Sequence, residues 1–595
     1  MRMITKRGIF LWLLSILFIV GIVFLVVTVV QNSDDWVMKR YNKHMYSNGE
    51  LIGAGTIYDT DGVALAQTID GERVYADNRV TRKATLHIVG DKKNFISTGV
   101  QSVYDTRLTG YSLLSGVYNL KRYGKGNDLR LTIDSEICEV AYEALDGRKG
   151  TVGVVNYKTG DLICCVSSPS YDVNNPPDDL ETNEDYAGAY INRLLTAHYV
   201  PGSTFKIVTA ICAIENIPDI FDRTWECHGA YQPEQGVEIV CNADHGSAIN
   251  FKDALAKSCN ATFAQLAIEL GADKLNKTAK ELGIGSVVTL SGEINSYAGK
   301  FDVKNAGLDL LGWTGIGQGE TRIAPITMLR IVSAIANNGQ AVSMNVVKSL
   351  ATQAGEALNL SLPKNKVQLM DSTTASTIKD MLRYNITQQY GDDNYYGLNL
   401  CAKSGTAQID EVDAHNIAWF TGFMDDDACP YAFVVVIENG NYYVYVHINK
   451  INGKMYIGIT GRKPVLRWNY NGTGYIHCDK FWKAIQKYGW ENFKVEILEV
   501  CPVDKLNERE IFWIAELNTK VPNGYNLTEG GDGGINPSAE TRAKISVSKK
   551  GKSLSKEHRA KISANHADMK GENNPFYGKH HTEESKAKIS LPDVS

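Results

Sequence analysis

Residues 199–206 read YVPGSTFK, and the apolar run IVTAICAI follows at 207–214. This run is apolar on nearly every face, which predicts a buried helix. Ser203 and Lys206 are three positions apart, so they would share one face at the N-terminus of that helix. A hydroxyl becomes a good nucleophile when a nearby base takes its proton, and a buried lysine that has lost its charge is such a base. The stretch therefore predicts a serine nucleophile with a lysine base.

Two further motifs strengthen this interpretation. Ser-x-x-Lys alone is common, and a capping serine with a surface lysine is the ordinary explanation. Here Ser258-Cys259-Asn260 follows a helical pattern over 251–257, and Lys403-Ser404-Gly405-Thr406 begins a strand-like segment. The first residues of the three motifs lie 55 and then 145 positions apart. In this order they form the signature set of the penicillin-recognising serine enzymes.

Residues 35 to 440 resemble class B penicillin-binding proteins, closest to the PbpA-like branch, on these three motifs and on GIGQGE at 315–320. The resemblance implies that Ser203 attacks the D-Ala-D-Ala carbonyl of a peptidoglycan stem peptide, or a β-lactam, with Lys206 as base. Ser258 and Asn260 would relay the proton and hold the peptide. No cofactor is implied. The residues of the third motif would bind the substrate carboxylate and peptide: Lys403, Ser404, Gly405 and Thr406.

The family pattern breaks after the strand predicted over 431–438. The C-terminal helix that covers the sheet in this family does not follow. Its absence would leave one apolar face of the sheet partly uncovered, a deficit of several kcal/mol at ~25 cal/mol per Å². We therefore expect an unstable or inactive transpeptidase in this chain.

An N-terminal membrane anchor is predicted over residues 9–30, which contain no charged side chain. Three basic residues precede this run, and Asp34 and Asp35 follow it, which places the N-terminus in the cytoplasm and the transpeptidase outside the cell membrane. A cleaved signal peptide is the alternative. The run is long for a signal peptide, and VTVVQ at 27–31 lacks a small-x-small cleavage pattern. We expect a retained, single-pass anchor.

The charge is unevenly distributed over the 595 residues, whose formal net charge is −5. From Tyr442 onward there are 24 Lys and Arg against 17 Asp and Glu, whereas the preceding part has 38 against 50, so the two parts carry +7 and −12. An acidic body with a basic C-terminal part indicates different partners, with a polyanion for the basic one.

The eleven cysteines are irregularly spaced and give neither a zinc-ribbon pattern nor a disulfide framework. Cys227 and Cys241 are candidates for a disulfide if their segment lies outside the cell. Two free thiols are the other interpretation, and both stay open.

The composition of the C-terminal part shifts to Tyr, Lys and Asn. YYVYVHI at 442–448 and MYIGI at 455–459 flank Asn452-Gly453, a strong hairpin signal. In a two-residue hairpin centred there, Tyr445 and Tyr456 project from the same face. Tyrosine pairs in strands usually serve packing, so this pair alone defines no site.

A second signal is a carboxylate on an apolar helix face. Helices are predicted over 479–488 and 504–517. Glu510 lies four positions from both Leu506 and Ile514, within the apolar stripe of the second helix. A carboxylate on a core-facing stripe costs free energy unless it is paired or binds a metal.

Residues 442 to about 530 resemble GIY-YIG endonucleases. Tyr443-Val444-Tyr445 stands for the first triplet, without its glycine, and Tyr456-Ile457-Gly458 matches the second. The resemblance implies that Glu510 ligates Mg²⁺ and that Arg467 stabilises the phosphate in the transition state. Tyr445 and Tyr456 would position or activate water, and Asn526 would order the site.

The general base of the nuclease is less well defined by this resemblance. Some members carry a histidine shortly after the arginine, and Asn469 or Asn471 occupies that neighbourhood here. We therefore expect Tyr445 to act as the base.

The basic tail contains a repeat. GKSLSKEHRAKIS at 551–563 recurs 27 residues later at 578–590, and a shorter copy lies at 538–546. Each copy reads as a capped mini-helix. A solvated charged tail is the alternative, but repeats beside a nuclease resemble the nuclease-associated modular DNA-binding motif of homing endonucleases. The basic residues expected to contact phosphates of double-stranded DNA are Lys544, Lys552, Arg559, Lys561, Lys579, Lys586 and Lys588.

These patterns predict an α+β multidomain chain. Its parts are a cytoplasmic tip and anchor (1–30), an N-terminal pedestal or dimerisation-like region (31–149), a transpeptidase domain of the penicillin-binding and serine β-lactamase fold lacking its final helix (150–441), a small α/β GIY-YIG domain (442–530) and a helical DNA-binding tail (531–595).

The two enzymes belong on opposite sides of a membrane, because the nuclease functions only in the cytoplasm. A mobile intron encoding a homing endonuclease, inserted near codon 440 and translated from the upstream exon, would explain this chain. The alternatives are an extracytoplasmic cell-wall enzyme whose C-terminal domain only binds polyanions, or a chain in which only the nuclease part is active.

Overall fold

The computed structural model describes residues 2–531, with gaps at 40, 44, 48–49, 52, 112–125, 359, 361, 396, 409–415, 439–441, 461–466, 469–471 and 502. It begins with a helix, α1 (Arg2–Val37). Within Lys6–Ser33 the most apolar stretch of 18 residues has a mean hydropathy of 3.2, and none of that stretch is buried inside the protein. The length and composition of this helix are sufficient to cross a membrane, as predicted for residues 9–30.

The next region is built from short strands and helices. They are β1 (Tyr46–Ser47), β2 (Glu50–Leu51), β3 (Ile57–Tyr58), β4 (Ala64–Ile69), β5 (Glu72–Tyr75), α2 (Arg79–Val89), α3 (Val100–Val103), α4 (Asp105–Thr109), β6 (Asn127–Leu131) and α5 (Ser135–Leu145). The carboxylate of Asp134 accepts the Ile137 N–H and so caps α5. Strand β6 is therefore followed by a capped helix after a three-residue connection, 132–134.

A larger region follows. Its elements are β7 (Gly150–Asn156), β8 (Leu162–Ser168), α6 (Lys206–Asn216), β9 (Thr224–Glu234), β10 (Val237–Asn250), α7 (Phe251–Ala256), α8 (Asn260–Glu281), β11 (Thr289–Leu290), β12 (Ile294–Asn295), α9 (Leu308–Gly315), α10 (Pro325–Ala336), β13 (Gln340–Val342), β14 (Val347–Thr352), β15 (Ala357–Leu358), β16 (Lys366–Gln368), α11 (Ser372–Asn385), β17 (Leu400–Gln408), β18 (Asn416–Met424) and β19 (Tyr431–Glu438).

A five-stranded antiparallel sheet organises this region, in the order β17-β18-β19-β7-β8. Strands β7 and β8 form a hairpin. The buried helix α10 packs on the sheet against β18, β19 and β7. The edge strand of this sheet is β17, which carries Lys403 to Thr406. It lies next to the turn Gly202–Phe205 that precedes α6.

The boundary placed at residue 149 does not coincide with a break in packing. A six-stranded sheet has the order β15-β14-β6-β3-β4-β5, so β14 and β15 from the later region join strands of the pedestal. Helix α5 also packs on β7 and β8. The pedestal and the transpeptidase region consequently share structure on both sides of this boundary.

The two faces of the five-stranded sheet differ in burial. Along β19, Ala432, Val434 and Val436 are buried, whereas Phe433, Val435 and Ile437 are only half-buried. Val435 pairs with Phe420 on one side and Val152 on the other, and both are half-buried as well. One apolar face is thus incompletely covered, as the missing final helix would leave it.

The C-terminal region has its own three-stranded sheet, in the order β21-β20-β22. Its elements are β20 (Tyr442–Asn449), β21 (Met455–Thr460), α12 (Asp479–Tyr488), β22 (Phe493–Cys501) and α13 (Val503–Glu516). An aromatic cluster containing Phe481 of α12 covers one face, and an aliphatic cluster containing Leu506 and Ile514 of α13 covers the other. Both predicted helices are confirmed.

The hairpin between β20 and β21 differs from the two-residue hairpin considered for Asn452-Gly453. Ile448 pairs with Met455, and Asn449 N–H donates to the Lys454 carbonyl, so the loop spans four residues, 450–453. The Asn449 side chain accepts the Ile451 N–H and that of Asn452 accepts the Lys454 N–H, which stabilises the longer loop. The register shifts by an even number, so Tyr445 and Tyr456 still project from the same face.

Candidate functional sites

The first site forms around Ser203 and Lys206. Ser203 lies in the turn Gly202–Phe205, and Lys206 begins α6. Lys206 Nζ lies 3.0 Å from Ser203 Oγ, within hydrogen-bond distance. The Lys206 side chain is fully buried. The predicted pairing of a serine hydroxyl with a buried lysine is therefore present.

The same lysine contacts the second motif. Lys206 Nζ donates to Asn260 Oδ1 at 2.6 Å, to Ser258 Oγ at 3.0 Å and to the Ser258 carbonyl at 2.7 Å. Asn260 begins α8, and Ser258 has a φ of +56°, a left-handed conformation that non-glycine residues rarely adopt. The left-handed conformation of Ser258 turns the short segment between α7 and α8. The hydroxyl and the carbonyl of Ser258 consequently both face Lys206.

The third motif closes the site from strand β17. Lys403 Nζ donates to Ser258 Oγ at 3.1 Å and to the Ser404 carbonyl at 2.9 Å. The Ser404 hydroxyl is hydrogen-bonded to the Tyr390 hydroxyl. Lys403 is buried, Ser404 is half-buried and Thr406 is exposed, so β17 offers polar groups at the mouth of the site.

Two glycines allow β17 to approach the nucleophile. A methyl group on Gly405 would lie 2.8 Å from the Thr204 backbone nitrogen, and one on Gly202 would lie 2.7 Å from the Thr406 carbonyl oxygen. Gly202 also has a φ of +53°. A larger residue at either position would push the strand away from Ser203, so both glycines are required by close backbone contact.

Burial changes the acidity of both lysines. It lowers the pKa of Lys206 to about 7, an effect that the thiols of Cys241 and Cys259 partly oppose. Burial also lowers the pKa of Lys403 far below its usual value, and the neighbouring Lys206 lowers it further. A lysine with a pKa near 7 exists substantially as the free amine at neutral pH, which is the state needed to accept a proton from Ser203.

The second site lies on the aromatic face of the C-terminal sheet. Tyr445 is fully buried, and its neighbour across the hairpin is Gly458. A methyl group at Gly458 would lie 2.5 Å from the Tyr445 hydroxyl oxygen. The glycine of the Tyr456-Ile457-Gly458 triplet is therefore needed because the Tyr445 ring crosses it. Tyr456 stacks on Phe481 at a centroid distance of 4.3 Å.

A hydrogen-bonded chain connects Tyr445 to residues that the sequence interpretation did not include. The Tyr475 hydroxyl donates to the Tyr445 hydroxyl at 2.9 Å, and His447 Nε2 lies 2.9 Å from the Tyr475 hydroxyl. The guanidinium carbon of Arg467 lies 4.7 Å from the centre of the Tyr475 ring. Burial raises the pKa of Tyr445 to about 12, with Arg467 opposing the shift. Tyr475 thus links the predicted base to the predicted phosphate-binding arginine.

Asn526 contacts the second triplet directly, and Glu510 lies on helix α13, which packs against β20 and β21. The Asn526 side chain accepts the Ile457 N–H and donates to the Ile457 carbonyl, both at 2.8 Å, so it clamps the middle of the second triplet. Glu510 is half-buried on α13, and its Oε2 accepts the Gly531 N–H at 2.9 Å. The negative charge of Glu510 also contributes to raising the pKa of Tyr445, so the two groups interact electrostatically.

The seven basic residues predicted to bind DNA, Lys544 to Lys588, lie outside the described residues. So do Asn469 and Asn471. Tyr390, His447 and Tyr475 were missed because an isolated aromatic or histidine in a strand or loop has no spacing signal. The one sequence feature that points to this hydrogen-bonded set is the alternation of Tyr443, Tyr445 and His447, which places the three side chains on one face of the strand.

Three family models match this chain. The penicillin binding protein transpeptidase domain matches residues 150–452, the GIY-YIG catalytic domain matches 441–526, and the NUMOD3 motif matches 551–590. The first two matches overlap over residues 441–452, just after the strand that ends at Glu438. The last falls on the repeated basic segment.

Characterised proteins are similar over the first part. The peptidoglycan D,D-transpeptidase PbpA of Mycolicibacterium smegmatis is 24% identical over 376 residues, 58% of this chain and 75% of that protein. Penicillin-binding protein 3 of Bacillus subtilis is 26% identical over 363 residues, 56% of this chain and 52% of that protein.

Solved structures share the fold. The crystal structure of PBPA from Mycobacterium tuberculosis aligns with a TM-score of 0.56 at 22% identity, covering 65% of this chain and 94% of that one. The D,D-transpeptidase domain from Eggerthella lenta aligns with a TM-score of 0.55 at 26% identity, covering 65% and 94%. The chain belongs to the penicillin-binding protein transpeptidase family, and a GIY-YIG endonuclease domain and a NUMOD3 motif follow its transpeptidase domain.

Proposed function

We propose that Ser203 is the nucleophile of a D,D-transpeptidase that is acylated by a peptidoglycan stem peptide ending in D-Ala-D-Ala, and also by β-lactams. The contact of Ser203 with the buried Lys206 carries this proposal. Structures of penicillin-binding protein A from M. tuberculosis were solved as acyl-enzyme complexes with ceftriaxone and penicillin G. The same chemistry is expected here.

In this proposal each contact has a role in acyl transfer. Lys206 accepts the proton of Ser203 as its oxygen bonds to the carbonyl carbon, and Ser258 passes a proton to the leaving group through the hydroxyl that both lysines contact. Asn260 fixes Lys206 and the peptide. The carboxylate of the substrate binds at the strand formed by Lys403, Ser404, Gly405 and Thr406.

Covalent labelling with a fluorescent penicillin tests this role. Any labelling of the full chain in detergent should be lost in Ser203→Ala, and strong labelling of the unaltered chain would contradict the instability expected from the missing final helix. Ser286→Ala, which removes an exposed serine of the same domain, should leave labelling unchanged. Labelling that survives Ser203→Ala would exclude Ser203 as the nucleophile.

We propose for the second part that the GIY-YIG domain hydrolyses a phosphodiester of double-stranded DNA. The observation that carries it is the connected set of Tyr445, Tyr475 and Arg467, in which a buried phenol lies beside a cation suited to a phosphate. Tyr445 would take the proton of the attacking water as its phenolate, a form that burial disfavours and the charge of Arg467 favours. Tyr456 helps to position that water, and Arg467 contacts the phosphate. Asn526 maintains the backbone of the second triplet.

We propose that Glu510 is the carboxylate that holds a magnesium ion. Mg²⁺ prefers oxygen ligands, keeps several waters and is often bound by one or two carboxylates together with substrate phosphate. The half-buried Glu510 supplies one such carboxylate, whose charge contributes to raising the pKa of Tyr445. When bound, the ion would neutralise phosphate charge and acidify a bound water.

The basic repeats are proposed to hold the DNA. Phosphate contacts from Lys544, Lys552, Arg559, Lys561, Lys579, Lys586 and Lys588 would place the nuclease on the duplex without reading sequence directly. The match of residues 551–590 to the NUMOD3 motif supports this assignment.

A cleavage assay separates the nuclease from a domain that only binds polyanions. The full chain should cut the uninterrupted penicillin-binding gene in the presence of Mg²⁺, and Glu510→Gln should remove cleavage while binding persists. Glu516→Gln, on the same helix, is the matched control. Binding without cleavage by the unaltered chain would favour the polyanion-binding alternative.

We further propose that the chain is the read-through product of an intron-encoded homing endonuclease gene inserted near codon 440. Two observations support this origin. The strand that ends at Glu438 belongs to the five-stranded sheet, whereas the strand that begins at Tyr442 belongs to a separate three-stranded sheet. The apolar helix would also carry the following region out of the cytoplasm. Sequencing of transcripts across this junction tests the origin. A spliced species that restores the transpeptidase reading frame is expected, and an uninterrupted message as the only species would contradict it.

A further inference from the structure

Three cysteines and one histidine that are distant in sequence come together behind the transpeptidase site. Cys227 lies on β9, Cys241 and His245 lie on β10, and Cys259 lies between Ser258 and Asn260. One ligand atom from each lies within 4.8 Å of the others. The three cysteines are buried, and His245 is half-buried.

The distances within this cluster fit a tetrahedral metal site. Cys241 Sγ lies 3.9 Å from Cys259 Sγ, and His245 Nδ1 lies 3.4 Å from Cys227 Sγ and 3.6 Å from Cys241 Sγ. Zinc–sulfur bonds of ~2.3 Å and zinc–nitrogen bonds of ~2.0 Å place the ligands of a tetrahedron about 3.5 to 3.8 Å apart. These three separations are close to the tetrahedral values, and each of the other three pairs of ligand atoms lies within 4.8 Å.

Two of the sulfurs accept hydrogen bonds, as thiolate ligands of a metal do, while Cys227 Sγ and Cys241 Sγ also lie 3.6 and 3.4 Å from the Ala243 carbonyl and Asn242 Oδ1. The Asn260 N–H donates to Cys241 Sγ at 3.2 Å, and the Thr262 hydroxyl donates to Cys259 Sγ at 3.3 Å. Donors directed at sulfur stabilise the deprotonated ligand and fix its orientation. A disulfide needs a sulfur separation of ~2.05 Å, and both Cys227 and Cys241 are free thiols in the structure.

We propose that Cys227, Cys241, His245 and Cys259 bind one zinc ion, which fixes the Ser258–Asn260 segment to the β9–β10 hairpin. A set of three thiolates and one imidazole is typical of closed, structural zinc sites. Zinc is favoured over magnesium or calcium because those ions prefer oxygen ligands. The sequence pattern behind the site is C-x13-C-x3-H-x13-C, whose long intervals do not resemble a zinc ribbon.

The position of Cys259 gives this zinc ion a consequence for acyl transfer. The flanking Ser258 and Asn260 side chains both contact Lys206, and Asn260 Nδ2 donates to the Val240 carbonyl on β10 at 2.8 Å. The ion would therefore hold the second motif in place without touching the substrate. This coupling rests on the proposed transpeptidase function, whereas zinc binding itself does not.

Metal analysis of the full chain in detergent tests the site. Inductively coupled plasma mass spectrometry should find about one zinc per chain, and Cys227→Ala and His245→Ala should each lower zinc affinity at least about tenfold. Cys165→Ala removes a buried thiol outside the cluster and should retain the zinc. Ser203→Ala should retain zinc while losing penicillin labelling, which separates failure of the zinc site from failure of the proposed transpeptidase.

A second measurement uses the unaltered chain, so that it does not depend on the folding of any variant. Removing zinc from the unaltered chain with a chelator should slow penicillin labelling about tenfold or more, and added Zn²⁺ should restore it. A chain that binds no zinc when incubated with Zn²⁺ would overturn the proposal. So would a Cys227–Cys241 disulfide found by intact mass, or zinc retained by both cluster variants.

Discussion

Lys206 and Lys403 share one hydroxyl group, because their Nζ atoms lie 3.0 and 3.1 Å from Oγ of Ser258. Both side chains are buried. Two ammonium groups at this separation from a common atom, away from water, are unfavourable, so at least one amine tends to be neutral. A substrate carboxylate on strand β17 would favour the charged form of Lys403 and leave Lys206 as the neutral base.

The first prediction concerns pH. The pKa of Lys206 is lowered to about 7 by burial, and the lysine acts as a base only when neutral. The rate of acylation by a fluorescent penicillin should therefore rise with pH through about 7 and level off above it. Stopped-time labelling across about pH 5 to 9 measures this rise. A rate that falls over this range would show that Lys206 acts in its protonated form.

The second prediction concerns the contact between Gly458 and Tyr445. In Gly458→Ala the new methyl group would lie 2.5 Å from the Tyr445 hydroxyl oxygen and would displace the ring. Misplacement of a catalytic group by about 1 Å can cost roughly 100-fold in rate, and we expect a loss of this size in DNA cleavage.

A turn glycine of the same hairpin is the control for this change. Gly453 has a φ of +71°, and no heavy atom lies within 4 Å of its ideal methyl position. Gly453→Asn should be tolerated, because asparagine adopts this conformation more readily than other residues. Equal cleavage rates in the two variants would show that the Gly458 contact is unimportant.

Sequence motifs predicted which residues lie together better than they predicted which elements hold them there. The spacing of Ser203, Ser258 and Lys403 indicated one site, since each motif type has a defined chemical role. The contribution of β14 to the pedestal sheet was not predicted, because pairing between residues far apart in sequence leaves no local period. The four-residue hairpin loop was missed because the Asn452-Gly453 signal outweighed the side-chain bonds of Asn449.

The third prediction concerns the phenol chain of the nuclease. Tyr475→Phe removes the hydroxyl that joins Tyr445 to His447 but keeps the ring against Arg467. Because Tyr475 would act by positioning Tyr445, we expect cleavage to fall roughly tenfold to 100-fold. The pH dependence of cleavage should also shift, since the Tyr475 hydrogen bond lowers the pKa of Tyr445 against the effect of burial.

Tyr442→Phe is the matched control, because Tyr442 packs against the aliphatic cluster on the other face of the sheet. It should leave both the rate and the pH profile unchanged. A Tyr475→Phe variant with a lower rate and an unshifted profile would indicate a packing role for Tyr475.

The last prediction compares two adjacent valines of β19. Val434 is fully buried, whereas Val435 lies on the half-covered face and pairs with Phe420 and Val152. Val→Thr replaces a methyl group by a hydroxyl of similar size. In Val434→Thr the buried hydroxyl should cost ~1–3 kcal/mol, whereas Val435→Thr should be nearly neutral because water reaches this face.

The measurement for these two variants is the temperature at which the full chain loses penicillin labelling, since a multidomain chain need not unfold in one step. Val434→Thr should lower this temperature by several degrees, and Val435→Thr should leave it close to that of the unaltered chain. In a transpeptidase whose sheet is covered by a final helix, both changes would be costly. Equal destabilisation of this chain by the two variants would therefore show that another segment covers the face of Val435. The instability expected from the missing helix would then have no uncovered apolar face to explain it.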